Sequence, residues 1–289
     1  MLSRAVQKLC WFLSIAMLLA VVDDVQGEIR VKALSFNIRY GKADDGDNSW
    51  PMRKAMVFGI IKSSGADFCG LQEALRFQLD EVHGAVGGYG ECGVGRDDGK
   101  TKGEYSPILF RKDRWKLDRC ETRWLSDTPL VPNSTDWGNK ISRIVTWARF
   151  TEQSSGKVVF VFNTHFDHQS QPSREKSGQA LARLIAREAD GRSIVVMGDL
   201  NAGEHNSAVT ALKGGSIPLV DTFRVIQPTA QRVGTFNGFA GRTDGEKIDY
   251  IFVPASATVT AAAIDHTNTD SRYPSDHFPV SAEVLFPER

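Results

Sequence analysis

An α/β fold of mixed sheets with helices on their outer sides is predicted by this sequence, on three observations. Strand-like runs outnumber helical ones. The helical stretches are spaced along the chain and not gathered at one end, a pattern that suits sheets flanked by helices. The run Ile194-Val195-Val196-Met197 is apolar at every position, as a strand covered on both faces should be. That run ends in Gly198-Asp199-Leu200-Asn201-Ala202. Residues two apart in extended chain face the same way, so Asp199 and Asn201 are expected to address one spot. A carboxylate there could hold or deprotonate water, and an amide could hold an anionic oxygen. The same residues would also serve a plain turn, so the rest of the chain must decide.

Length and composition narrow the classes. With 289 residues and 41% hydrophobic content the chain is ordinary for a globular protein with a full core. Lysine plus arginine equals aspartate plus glutamate at 35 each, which argues against a protein that coats nucleic acid by charge alone. Residues 1–27 read as a signal peptide. Arg4 and Lys8 precede the apolar stretch Leu9 to Val22, and Val25-Gln26-Gly27 offers a cleavage site. The apolar stretch is short for a membrane span, so export without stable membrane association is expected, with a retained anchor as the alternative. Domain boundaries at 28 and 289 follow, because no linker, low-complexity segment or short repeat interrupts the mature chain. Three cysteines remain after cleavage. Cys69 lies in an apolar run and is expected as a buried thiol, and Cys92 with Cys120 could bridge in an oxidising compartment. No C-x-x-C pair exists, which excludes a zinc ribbon.

In chain order, Ile29 to Phe36 is β-branched and loosely alternating, a strand ending at Asn37. Ser49 and Pro51 open a helix that Gly65 should stop. Asp67 to Leu71 is a short strand leading into Gln72-Glu73, and a helix is expected from Leu75 to His83, closed by Gly84. Gly90 to Gly103 is a glycine-rich loop between short strands. Strands are expected at Pro107 to Phe110, Trp115 to Leu125, Ile141 to Phe150 and Lys157 to Phe162. Glu175 to Ala189 is the clearest helix, with Leu181, Leu184 and Ile185 on one face. Asn206 to Leu212 suits a short helix, and Lys247 to Val253, Thr258 to Ile264 and Phe278 to Phe286 suit strands.

Apolar runs in this chain end repeatedly in groups suited to phosphate and metal chemistry. Asn37, Glu73, His165, Asp199 and Asn201 follow strands, Asp249 lies in one, and Asp276-His277 opens the last. Open sheets hold ligands at strand ends. There is no G-x-S-x-G and no Walker A motif, so neither a serine nucleophile nor a P-loop is indicated.

Asn37, Leu71-Gln72-Glu73, Asn163-Thr164-His165, Gly198-Asp199-Leu200-Asn201, Ile248-Asp249-Tyr250 and Ser275-Asp276-His277 stand in an order and spacing that resembles the endonuclease/exonuclease/phosphatase superfamily. Gly93 to Gly103, Trp124 to Pro129 and Phe166-Asp167-His168 are similar to an uncharacterised secreted or bacterial branch. The resemblance implies a four-layered α/β/β/α sandwich and cleavage of a phosphate ester with Mg²⁺ or Mn²⁺. It implies Glu73 as main metal ligand, with Asn37 close by and Asp276 assisting. Asp199 would orient or deprotonate the attacking water, and Asn201 would hold the water or a phosphoryl oxygen. His165 and His277 would contact the scissile phosphate. Asp249 would orient His277, and Glu104 would orient His165. Arg96 and Arg143 are substrate candidates, and His168 a supporting residue. Trp50, Trp124 and Trp137 sit near loops, where stacking on a base or sugar competes with plain packing.

The implied enzyme is an exported phosphoesterase, a monomer acting on a phosphodiester or phosphomonoester. A small phosphorylated molecule and a nucleic acid both fit, and the neutral charge leans toward the small molecule. The alternative from another class is a phosphate-binding module on the same fold without catalysis. Such a module should lack several site groups, and none is missing here.

Overall fold

The computed structural model describes residues 27–189 and 192–287, so nearly all of the expected signal peptide lies outside the described residues. The chain opens with β1 (Ile29–Asn37), α1 (Trp50–Ser64), β2 (Phe68–Gln72), α2 (Arg76–Val86), β3 (Tyr89–Cys92) and β4 (Ile108–Arg111). It continues through β5 (Trp115–Trp124), β6 (Ile144–Glu152), β7 (Val158–His165), α3 (Gln171–Ala189), β8 (Ser193–Asp199), α4 (Ser207–Lys213), β9 (Leu219–Asp221), α5 (Thr222–Ile226) and β10 (Asp249–Pro254). It closes with β11 (Thr258–Ile264) and β12 (Val280–Phe286).

Two six-stranded sheets result, ordered β11-β12-β1-β2-β4-β3 and β5-β6-β7-β8-β10-β9. In each, one central pair is parallel (β1 with β2, β7 with β8) and joined through a helix, while the other neighbours are antiparallel. The two sheets thus repeat one topology, although the halves of the sequence share no visible similarity.

Strand alternation builds the layers. Val31 and Ala33 of β1, Val159 and Val161 of β7, Val195 and Met197 of β8, and Ile251 and Val253 of β10 fill the space between the sheets. The intervening residues turn outward. Leu34 and Phe36 pack beneath Val57 and Ile61 of α1 and Leu79 of α2. Ile194 and Val196 pack beneath Leu181 and Ile185 of α3 and Val209 of α4. This is the four-layered α/β/β/α sandwich, and the expectation that β8 is covered on both faces holds.

Several ends differ from expectation. α1 stops at Gly65 (φ 54°), as expected. α2 runs past Gly84 to Gly87, because Val86 still gains core contact that offsets the helix cost of an internal glycine. α3 begins at Gln171, a turn earlier than expected, after Asp167 Oδ1 accepts from the amides of Gln169 and Ser170 at 2.9 and 2.6 Å. β9 and α5 were not expected, since three and five residues show no period. Asp221 links them by capping α5, and its other oxygen lies 2.7 Å from the buried Lys247 ammonium.

Two features tie sheet to sheet. Cys92 on β3 and Cys120 on β5 form a disulfide between the edge strands of the two sheets. Cys69 is a buried free thiol whose pKa burial pushes up to about 12. Nearer the middle, Gln72 Nε2 donates to Asn163 Oδ1 at 2.7 Å, and Asn163 Nδ2 donates to the carbonyls of Leu71 and Pro107 at 2.8 and 2.7 Å. Asn163 therefore joins the sheets and does not face the cavity chemistry. Gly70 is required by this bridge, because a Cβ there would lie 2.7 Å from Asn163 Oδ1. Gly70→Ala is expected to destabilise by roughly 1–3 kcal/mol in urea unfolding, through crowding of this buried bridge. An unchanged midpoint would mean the sheets yield more easily than the geometry indicates.

Candidate active site

Parallel strands end on the same side, and both parallel pairs end at one edge of the sandwich. The inward phase of β1 continues through Ser35 to Asn37, that of β7 through Asn163 to His165, and that of β8 through Met197 to Asp199. Asp249 pairs in register with Asp199, and β12, antiparallel to β1, starts at the same edge just after Asp276-His277. The period that fills the core therefore delivers polar groups where the core opens to solvent. They line a cavity of about 500 Å³ that includes Arg39, Glu73, Arg96, Glu104, Arg143, His165, Asp199, Asn201, Asp276 and His277.

On one wall, Asn37 Nδ2 donates to Glu73 Oε1 and to Asp199 Oδ2, both at 3.0 Å. Glu73 Oε2 accepts from the Tyr40 amide at 2.8 Å. Burial would raise the Glu73 pKa, but the bond from Asn37, the His277 charge and the Tyr40 amide outweigh it and hold the carboxyl below its usual value. Asp276 is raised by burial and by Glu73, with His277 opposing, and its Oδ2 lies 3.6 Å from Arg39 Nη1. Arg39, Glu73 and Asn201 are non-glycine residues at φ 60°, 60° and 45°. Such conformations carry strain and persist where the surroundings impose them, commonly at functional sites.

At the centre, His277 Nδ1 and Asp249 Oδ2 are 2.9 Å apart, and His277 Nε2 lies 3.7 Å from Asp199 Oδ2. Burial pulls the His277 pKa down, but Asp249, Asp199 and Asp276 outweigh it, so it stands well above the ordinary value and the ring is protonated. Asp199 is pushed up to about 7, by burial first and then by Asp249. The Asp249 carboxylate thus holds the His277 ring at Nδ1.

His165 differs from expectation. Its Nε2 is 3.0 Å from Asn201 Nδ2, which also donates to the Phe166 carbonyl at 3.1 Å, so the ring nitrogen accepts. Its Nδ1 is buried without a partner among the described residues. Burial, then Arg143 and Arg96, lower its pKa well below the usual value, and the ring is neutral. The expectation that Glu104 orients His165 is corrected. Glu104 forms a two-pronged pair with Arg96 at 2.9 and 2.7 Å, which uses both carboxylate oxygens. Asn201 orients His165 instead. Asn201 also does not face the site by strand alternation. It leaves β8 in a left-handed turn, its amide donating to Asp199 Oδ1 at 2.8 Å.

Arg143 is buried, with Nε 3.5 Å from Asp167 and Nη2 2.8 Å from His168 Nδ1. Trp50, Trp124 and Trp137 are buried, and their indole N–H groups bond Glu81, the Arg96 carbonyl and Asp127, so packing is their role.

Sequence reasoning missed Arg53. Its side chain, buried in α1, donates to the carbonyls of Asn48, Ile38, Pro274 and Arg39 at 2.8, 2.7, 2.9 and 3.3 Å. It ties the segment after Asn37 to the one before Asp276. Ser275 Oγ donates to the Asn37 carbonyl at 2.7 Å, closing the same junction. Arg53→Met is expected to lower stability by about 3 kcal/mol, because buried carbonyls lose a shared donor. A denaturant midpoint within error of wild type would contradict this. Asn237, which bonds the Ser275 and Asp276 backbone, and exposed Phe236, edge-on to His277 at 5.2 Å, were also missed. The Phe236-Asn237-Gly238 turn was their only visible signal.

The donor set fits a hard divalent cation. Glu73, Asp276 and Asp199 present oxygens around one cavity, and Glu73 keeps free lone pairs after its two hydrogen bonds, whereas Asn37 Oδ1 is taken by the Arg39 amide at 2.9 Å, so Asn37 stands close by as a donor to Glu73 and Asp199 and not as an oxygen ligand. Asp199, Asp249 and His277 also bring donor atoms within 4.8 Å of one another. There His277 Nδ1 is already engaged by Asp249, so a cation at that point would break the pair that keeps the ring protonated.

The chain matches the endonuclease/exonuclease/phosphatase family over residues 34–277. It is 34% identical to an endonuclease/exonuclease/phosphatase from Bacteroides vulgatus, covering 89% of this chain and 98% of that one, with a TM-score of 0.83. A mannosyl-6-phosphatase of Bacteroides thetaiotaomicron is 29% identical, covering 89% of this chain and all of its own (100%), with a TM-score of 0.80. An uncharacterised protein of Acanthamoeba polyphaga mimivirus is 25% identical over 214 residues, 70% of this chain and 79% of its own. The chain is therefore a member of the endonuclease/exonuclease/phosphatase family, a family of phosphoester hydrolases.

Proposed function

We propose that this protein is an exported, divalent-cation-dependent phosphoesterase that acts on a small phosphorylated molecule by direct attack of water. The observation that carries the chemistry is the Asp199 carboxylate, buried between a protonated His277–Asp249 pair and the Asn37–Glu73 pair. Asp199 accepts a proton from water as the new P–O bond forms. The ester P–O bond breaks, its oxygen leaves as the alcohol after taking up one proton, and phosphate (or a phosphate monoester, from a diester) is the other product. His277 donates from Nε2 to a phosphoryl oxygen, and Asn201, whose two N–H groups are taken by neutral His165 and the Phe166 carbonyl, holds the water through Oδ1. Glu73 and Asp276 would hold Mg²⁺ or Mn²⁺, with Asn37 fixing Glu73 beside it, and the cation would neutralise charge on the phosphoryl group and on the departing oxygen.

Three observations support the small substrate. The net charge is zero, the cavity of about 500 Å³ is of small-molecule size, and a relative of matching length is a mannosyl-6-phosphatase. Export is supported by the apolar N-terminal stretch and by the Cys92–Cys120 bridge, since disulfides persist in oxidising compartments. We infer cleavage after Gly27 and a monomeric mature protein. Sequencing the mature N-terminus tests the cleavage, and a start at Met1 would refute it.

The reaction is tested with p-nitrophenyl phosphate and bis-p-nitrophenyl phosphate, each with Mg²⁺, Mn²⁺ or EDTA. Cleavage of either that EDTA abolishes is expected, and the favoured ester settles monoester against diester. Cation binding without cleavage of any phosphate ester would favour the binding-module reading.

The pH profile should be bell-shaped. kcat/KM rises with pH as Asp199 loses its proton; its pKa is pushed up to about 7 in the cation-free protein, and the bound cation that turnover needs places this limb lower. It falls only above the ordinary histidine range, where His277 finally deprotonates. Asp249 raises both groups, so Asp249→Asn should move both limbs to lower pH. A profile left in place by that substitution would contradict the assignment.

A further inference from the structure

The Arg96–Glu104 pair lines the cavity, yet the phosphate chemistry above makes no use of it. The two side chains are 11% and 15% exposed, and their bonds of 2.9 and 2.7 Å close a two-pronged ion pair. The pair is held rigidly. The Arg96 amide donates to the Glu104 carbonyl at 3.0 Å, and Trp124 Nε1 donates to the Arg96 carbonyl at 2.7 Å. The Tyr105 amide donates to the Ala74 carbonyl at 2.8 Å, which fixes Glu104 against the segment that carries Glu73.

A guanidinium already closed on a carboxylate is a poor second phosphate clamp, because its charge is matched. Arg143, beside Asp167, is matched likewise. What such a pair offers is N–H donors beside carboxylate lone pairs. Hydroxyl groups fit that edge, since each can donate to the carboxylate and accept from the guanidinium at once. The same cavity carries two apolar surfaces, Phe236 at 45% and Ile141 at 41% exposure. Apolar surface in the same cavity as a donor–acceptor edge suits a ring with C–H faces and hydroxyl rims.

We propose that the alcohol released by this enzyme is a sugar or polyol, read through its hydroxyls by the Arg96–Glu104 pair. The proposal rests on the phosphoesterase reading of the site and assigns the group that selects the substrate.

The test compares a panel of hexose and pentose phosphates with cyclohexylmethyl phosphate, which has a ring and a primary phosphate but no hydroxyls. Wild-type protein with Mg²⁺ is expected to favour the best sugar phosphate by at least about 100-fold in kcat/KM, as sites built around hydroxyls reject analogues lacking them. Glu104→Gln is expected to shrink that ratio by about 10- to 100-fold, mainly through KM for the sugar ester. Should Glu104→Gln fail to fold, the wild-type ratio alone decides. Equal use of the two ring esters, or a ratio unmoved in folded Glu104→Gln, overturns the proposal. Cleavage of p-nitrophenyl esters with no sugar or polyol phosphate cleaved overturns it too, while leaving the phosphoesterase reading intact. No turnover of any phosphate ester overturns both.

Discussion

Asp199→Ala is expected to lower kcat for phosphate-ester hydrolysis by about 1,000-fold or more, with a much smaller change in KM. Positioned proton transfer contributes roughly 100- to 10,000-fold, and Asp199 also organises its neighbours. It accepts from Asn37 Nδ2 and from the Asn201 amide, and it lies within 4 Å of both histidines. Removing it therefore takes away the water's proton acceptor and loosens the groups that face the phosphate. Asp199→Asn keeps the shape without the basicity and should lose nearly as much. Groups acting as one unit are not additive, so His277→Ala added to Asp199→Ala should cost little more than either alone. The reading fails at this point if Asp199→Asn retains more than about a tenth of wild-type kcat, a loss far short of a general base's contribution.

Glu73→Gln should raise the Mg²⁺ concentration for half-maximal activity by at least about 10- to 100-fold, the loss seen even when only a supporting group of a metal site is changed. The Glu73 carboxyl is kept charged by Asn37, His277, Tyr40 and Arg39 although it is partly buried. Such a charge needs a purpose, and a divalent cation supplies one. Asp276→Asn should have a smaller effect, because Arg39 lies 3.6 Å from Asp276 and shares its charge. Both variants can be followed by calorimetric Mg²⁺ titration without substrate, which separates binding from turnover. Equal Mg²⁺ affinity in Glu73→Gln and wild type would remove Glu73 from the metal site.

Much of this was legible in the chain, for a physical reason. Strand alternation fixes which residues face the inter-sheet space, so Asn37, His165 and Asp199 could be placed at strand ends from pattern alone, while Asp249, expected inside a strand, proved to open one. Their meeting point depended on two parallel pairs ending together, which the order of motifs suggested and single residues did not. Asn201 reached the site by a left-handed turn, a conformation its residue type does not announce. The partner of Glu104 could not be read, since Arg96 and Glu104 meet across a glycine-rich loop with no period. Arg53 was invisible for another reason. A single arginine in an amphipathic helix looks like a surface residue until the carbonyls it gathers are seen.

The central claim is that a cation held by Glu73 and Asp276 works with Asp199 and the His277–Asp249 pair on one phosphate ester. The most direct measurement strips the mature protein with chelator and retitrates it with Mg²⁺, recording phosphate or nitrophenol release and calorimetric binding together. The account predicts no turnover when stripped and full recovery that follows binding at a single class of site. It also predicts that Asp199→Ala binds Mg²⁺ and remains inactive. Turnover that persists undiminished in the stripped protein, or that returns in Asp199→Ala, would contradict it.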